Sequence, residues 1–219
     1  MVVGAAIVPA SEHGETQMQH ADALNARLAQ LCSAGWDIFE RFDTEVRDKR
    51  FHPFVAAEYE KVLAALIEHR REGLRFLEWG SASGVITIMA DLLGYDACGI
   101  ELDASLVQTA RELAARFDSS ARFVVGNFVP AGYPLSPKAG GGGWIGDGPS
   151  AYLELGRALD DFDVVFGFPW PGGEATMLDL MKRYGGADAL LLMFSVDDGV
   201  TAYRGAKAFN APATRSPQR

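Results

Sequence analysis

The chain has 219 residues, 48% apolar and 22% charged, an ordinary globular composition that excludes a mainly disordered chain. Its 29 acidic side chains outnumber the 20 basic ones, and the formal charge of −9 argues against the broad basic stripe needed to track nucleic-acid phosphates. Cys32 and Cys98 are the only cysteines, which excludes a disulfide framework and fits a reducing compartment.

Residues 1–14 read as frayed, and no Lys or Arg precedes their short apolar run as in a secretory signal. No apolar stretch approaches the roughly 20 residues that span a bilayer. The expectation is a soluble, cytoplasmic protein with no membrane partner. Residues 16–48 predict a helix, with Leu24, Leu28, Leu31 and Cys32 at helical spacing and Trp36, Phe39 and Phe42 continuing the stripe. Pro53 interrupts the pattern. Residues 55–71 predict a second helix, with Val55, Tyr59, Val62, Leu63 and Leu66 on one face and Gly73 as its stop.

From residue 74 the periodicity changes. Strands are predicted over 74–80, 95–102, 121–128, 162–168 and 189–195. Between them lie helices over 85–93, 104–117, 151–159 and 174–184. The helix over 104–117 turns Leu106, Val107, Ala110, Leu113 and Ala114 inward. Such alternation implies βαβ units, a mostly parallel sheet and an α/β three-layer sandwich. Few residues follow Ser195, and only 200–204 could form a further short strand, so five or six strands are expected. The glycine run 140–143 lacks the phosphate-loop spacing and has no Lys after it. Residues 136–148 read instead as a mobile lip over a cleft, with Trp144 as its anchor, or equally as a disordered loop. Residues 1–73 form an N-terminal helical cap, 74–204 a ligand-binding domain and 205–219 a disordered tail.

The residues with the most chemical content are Glu78-Trp79-Gly80-Ser81-Ala82-Ser83-Gly84, between a strand and a helix. In an open α/β sheet, ligands bind at the carboxyl ends of the strands, where strand order reverses. Small residues let the backbone approach a ligand, and the next helix presents free N–H groups. Glu101 closes the second strand, where a carboxylate can accept both hydroxyls of a ribose. Asn127 stands near the end of the third, where its amide can contact a base edge beside the backbone of Phe128. Each residue alone has a plainer reading as a tight turn, a solvated charge or a turn former. The ordered set points to a nucleoside ligand.

This set resembles the class I S-adenosylmethionine-dependent methyltransferases, over about residues 74–195. Their first motif is an acid followed by three alternating glycines, matched here by Glu78, Gly80 and Gly84, with Ala82 in place of the middle glycine. The second acid falls on Glu101 in Gly99-Ile100-Glu101-Leu102-Asp103, and the third motif on Asn127 in Gly126-Asn127-Phe128. The resemblance implies a Rossmann-like methyltransferase sandwich and S-adenosyl-L-methionine as cofactor. It implies cofactor contacts from Glu78, Gly80, Ser81, Ala82, Ser83, Gly84, Glu101, Leu102, Asn127 and Phe128, with Glu78 orienting the methionine moiety. Against the family's seven strands, this sheet is expected to be truncated at its C-terminal strands.

The fourth strand ends in Gly167-Phe168-Pro169-Trp170. Relatives that methylate planar or peptidic nitrogen carry Asn or Asp, Pro, Pro and an aromatic there. Only Pro169 and Trp170 match, so the polar acceptor is missing and a small-molecule substrate is expected, without nucleic acid. Phe168, Pro169 and Trp170 are the substrate-pocket candidates, and His52 and Trp170 the catalytic ones. No metal is expected. A non-catalytic cofactor-binding protein is one alternative. An NAD-dependent oxidoreductase is another, although Gly80, Ala82 and Gly84 do not fit G-x-G-x-x-G. A sheet edge left bare by a missing strand could be covered by a second copy, giving a homodimer.

Overall fold

In the computed structural model, which describes residues 12–47, 54–134, 148–205 and 207–208, the first strand sits at the middle of the sheet. Strand β1 (Arg75–Trp79) pairs in parallel with β2 (Asp96–Glu101) on one side and β4 (Val164–Gly167) on the other. Beyond them lie β3 (Arg122–Val125) and β5 (Leu190–Ser195), also parallel. Two antiparallel strands, β6 (Gly199–Arg204) and β7 (Lys207–Ala208), complete the order β3-β2-β1-β4-β5-β6-β7. The parallel strands are buried on both faces, which is why β4 and β5 read as unbroken apolar runs.

Among the described residues, six α-helices connect and cover the sheet. These are α1 (Glu12–Phe42), α2 (Tyr59–Glu68), α3 (Val85–Leu92), α4 (Ala104–Arg116), α5 (Tyr152–Leu155) and α6 (Glu174–Tyr184). A π-helical turn, Asp43–Arg47, follows α1, and a 3-10 turn, Leu159–Asp161, precedes β4. Strand alternation divides the core. Phe76, Phe166, Leu192 and Phe194 face α1 to α4, packing with Leu31, Val62, Ile88, Met89 and Val107. Leu77, Trp79, Cys98, Val165 and Leu191 face α5 and α6, packing with Leu155, Met177 and Leu180. The result is three layers, with the N-terminal helices and one sheet face sharing a single core.

Several boundaries differ from the sequence expectation, each for a local reason. The second helix starts at Tyr59, so Val55 is 54% exposed while Tyr59, Val62 and Leu66 are buried. The helix expected over 151–159 stops after Leu155, because Gly156 takes a left-handed conformation (φ 64°). The sheet has seven strands instead of five or six. The last has only two residues, too few to show a pattern, and pairs with Tyr203 and Arg204 of β6. A short turn, with no helix, joins β5 to β6, so the expected shortening at the C-terminal strands takes the form of a hairpin. His52, Pro53, the lip with Trp144, and all but residues 205, 207 and 208 of the expected tail lie outside the described residues. Among the described residues no helix is long and apolar enough to cross a membrane.

Candidate functional site

Winding reverses between β1 and β4, and the residues singled out in the sequence gather at that end of the sheet. The turn from β1 to α3 is folded back over β2: the N–H groups of Gly80 and Ser81 both donate to the Ile100 carbonyl at 2.9 Å. Ala82 sits in the left-handed region (φ 45°), where the family motif has a glycine. Gly84 has φ 80°, and a Cβ there would lie 2.7 Å from Ala110 and from the Phe123 ring. Helix α3 therefore starts closer to β3 and α4 than any side chain would allow.

Glu78 is 4% exposed and lies just below this turn. Its Oε2 accepts the backbone N–H of Thr87 (2.9 Å) and the Thr87 hydroxyl (2.5 Å), in the first turn of α3. Burial pushes its carboxyl up to about 8, against the lowering effect of those two bonds and with a small upward push from Glu101. Glu101 closes β2 and holds two backbone donors, the N–H of Ala82 on Oε2 (2.9 Å) and that of Asp103 on Oε1 (3.0 Å). It thereby fixes the strained Ala82 turn against the end of β2. Asp103 in turn caps α4, accepting the Ser105 N–H at 2.7 Å.

Asn127 is buried and forms an Asx turn, its Oδ1 accepting the Val129 N–H at 2.9 Å. Its backbone N–H donates to the Pro149 carbonyl and its carbonyl accepts from Ala151, which ties the end of β3 to the start of α5. The amide oxygen that the sequence assigned to a base edge thus already serves the turn. Phe128 stacks on Trp79 (centroids 5.2 Å, planes 19° apart) and leans on Trp170 at 6.5 Å. Leu102 is exposed beside Glu101. The indole N–H of Trp170 is buried without a partner among the described residues.

A solvent-open cavity lies along the β1–α3 turn. It brings together Glu78, Gly80, Ser81, Ala82, Ser83 and Phe168 of the expected residues. Gly84, Glu101, Leu102, Asn127, Phe128, Pro169 and Trp170 are not among its lining residues. The sequence did not flag Phe54, Tyr59, Val85 and Phe166 as site residues, yet they line the same cavity. The sequence places Tyr59 only on the apolar face of its helix and Val85 only at the start of a helix, and nothing in the local pattern separates a cavity wall from core. Gly167 is more than a missing polar group: a Cβ there would meet the Met177 sulfur at 2.8 Å, so Met177 fills the space an Asn or Asp would need. Among the described residues no cluster of His, Cys, Asp or Glu is arranged to hold a metal.

No protein-family model matches the chain. One segment is 36% identical over 75 residues to the ribosomal protein L11 methyltransferase of Thermus thermophilus, covering 34% of this chain and 29% of that protein. Among solved structures, it is similar to a SAM-dependent methyltransferase from Geobacter sulfurreducens in complex with S-adenosyl-L-homocysteine. That pair is 19% identical, with 72% of this chain and 54% of the other covered and a TM-score of 0.46. A precorrin-6y C5,15-methyltransferase from Geobacter metallireducens is 17% identical, with 66% and 70% covered and a TM-score of 0.44. The chain's own sheet has the doubly wound order β3-β2-β1-β4-β5, with an acid and a glycine turn at the end of β1 and a second acid at the end of β2. This is a doubly wound, Rossmann-like fold.

Proposed function

We propose that the protein is an S-adenosylmethionine-dependent methyltransferase, and the observation that carries the reading is Glu78. A buried carboxylate at the end of a central strand, one oxygen held by Thr87 and the side chain lining a cavity, is costly to ionise unless a cation arrives. The methionine ammonium is such a cation. The remaining residues fit the same ligand. Glu101 keeps a second lone pair on each oxygen for ribose hydroxyls, and Ser81 Oγ is buried, without a partner among the described residues, in the cavity wall. The Phe128 backbone and the Asn127 amide suit the edge of an adenine.

When bound, S-adenosylmethionine supplies a methyl group on an already activated sulfur, so the protein's task is positioning and exclusion of water. Phe54, Phe166 and Phe168 supply apolar cavity wall. Burial raises both titratable groups of the described lining, Glu78 and Tyr59, so both are mainly neutral at pH 7. An acceptor that presents its own lone pair suits this wall, and with Met177 occupying the space beside Gly167 we favour a small apolar molecule. The stretch shared with the L11 methyltransferase favours a second reading, a protein as acceptor.

The test is incubation of the purified protein with methyl-labelled S-adenosylmethionine and a fractionated cell extract. Label in a low-mass product is the expected result. Label in a protein band would establish the second reading. Binding without turnover in any fraction would leave a non-catalytic cofactor protein.

A further inference from the structure

We infer that the methyl acceptor is a flat aromatic molecule and that Phe54 and Phe168 select it, an inference that deepens the methyl-donor reading and rests on it. The cavity at the β1–α3 turn draws different chemistry from different elements. Glu78, Ser81 and Ser83 are polar and come from the end of β1 and the turn after it. The segment 54–57, ahead of α2, contributes Phe54, Val55 and two alanines, and the end of β4 contributes Phe166 and Phe168. Neither of these last two stretches brings a polar side chain to the cavity. Val55 is 54% exposed, so the apolar wall runs out to solvent. Trp79 of β1 pairs with Gly167 of β4, which places Phe168 one residue beyond that pair, beside the turn. The apolar wall thus borders the polar groups proposed for the donor and is open to a second reactant.

The rings in this wall are held by other rings. Phe54 meets Phe39 and Phe42 of α1, with centroids 5.4 Å and 5.2 Å away and planes at 87° and 73°. Phe168 meets the buried Phe194 of β5 at 4.9 Å and 84°. These are the edge-to-face arrangements that aromatic quadrupoles favour, so protein contacts set each plane before any ligand arrives. A ring with a fixed plane meets another ring at little ordering cost. Each such contact is worth about 2- to 10-fold in affinity beyond the apolar area it buries. A saturated molecule of the same size gains only the area. In the reaction, a lone pair on the acceptor takes the methyl carbon as the C–S electrons return to sulfur. A proton on the attacked atom, where there is one, passes to water.

The experiment compares 2-naphthol with decahydro-2-naphthol, which share a carbon skeleton and a hydroxyl, only the first being flat. Each is titrated into the full chain saturated with S-adenosylhomocysteine. The parent is expected to bind 2-naphthol about 10-fold or more tightly than the saturated probe. Phe54→Leu and Phe168→Leu should each weaken 2-naphthol by about 3- to 10-fold and leave the saturated probe within about 2-fold. Both should bind S-adenosylhomocysteine within about 2-fold of the parent, which shows the fold and the donor site intact. If Phe54→Leu does not fold, Phe168→Leu, at a partly buried position, decides alone. Equal affinity of the parent for the two probes, or equal losses for both in the variants, would overturn the aromatic assignment and leave the donor reading standing. A parent that does not bind S-adenosylhomocysteine would overturn the donor reading, and the acceptor assignment with it.

Discussion

At the scale of single residues, the two carboxylates of the site differ in what holds them, and they should respond differently to change. Glu78 is more easily protonated when folded, at about 8, than when unfolded, near 4.5. Its neutral form therefore contributes stability that is complete below about pH 4.5 and is lost as the pH rises toward 8. A cationic ligand end favours the ionised form, so S-adenosylhomocysteine should bind more tightly at about pH 8 than at about pH 6. It should also release a proton, read by calorimetry in buffers of different ionisation heat. Glu78→Gln keeps an oxygen for the Thr87 N–H. It should melt higher than the parent at about pH 8, with the gap closing toward pH 5, while binding the ligand less well. Glu101 serves the loop as well as the proposed ribose. Glu101→Ala should weaken S-adenosylhomocysteine by about 10–100-fold, because it also frees the Ala82 N–H. Glu101→Gln should fall between, and Glu112→Ala, an exposed partner of Gln108 on α4, should change nothing.

At the scale of elements, the β1–α3 turn is the clearest case of sequence dictating geometry. Gly84→Ala would combine a left-handed backbone with a contact of 2.7 Å against Ala110 and Phe123, and should cost about 2–4 kcal/mol in urea unfolding. Ala82→Gly relieves strain at φ 45° and should be neutral or stabilising by up to about 1 kcal/mol. This turn was legible because its small residues and flanking acids have few other uses at a strand end. The end of α6 was legible too, since Gly185 and Gly186 stop a clear period. The fifth helix was not: the apolar spacing of Leu155 and Leu159 continues across Gly156, whose left-handed backbone cannot be read from spacing. Nor was Tyr59, because a buried tyrosine on an apolar stripe looks the same whether its hydroxyl meets protein or a cavity.

At the scale of the molecule, the N-terminal helices read in sequence as a cap, but Leu31 of α1 and Leu192 of β5 lie in one apolar cluster. Leu31→Ala should therefore cost about 2–5 kcal/mol and shift one cooperative melt. A separate early transition would show the cap unfolding on its own. The parallel core could be anticipated because strands buried on both faces must be apolar throughout, whereas the β6–β7 hairpin gives no such signal. The ring stack at the ends of β1, β3 and β4 has an optical consequence. Trp79 is 2% exposed, stacks on Phe128 and donates its indole N–H to the Tyr152 hydroxyl, while the Trp170 N–H is unbonded among the described residues. Indole emission depends on such bonds and on nearby polar groups. A nucleoside settling beside Phe128 would change the surroundings of both indoles at once. The protein thus carries a native fluorophore pair at the strand ends, and its emission wavelength and lifetime can follow ligand arrival in real time without a label.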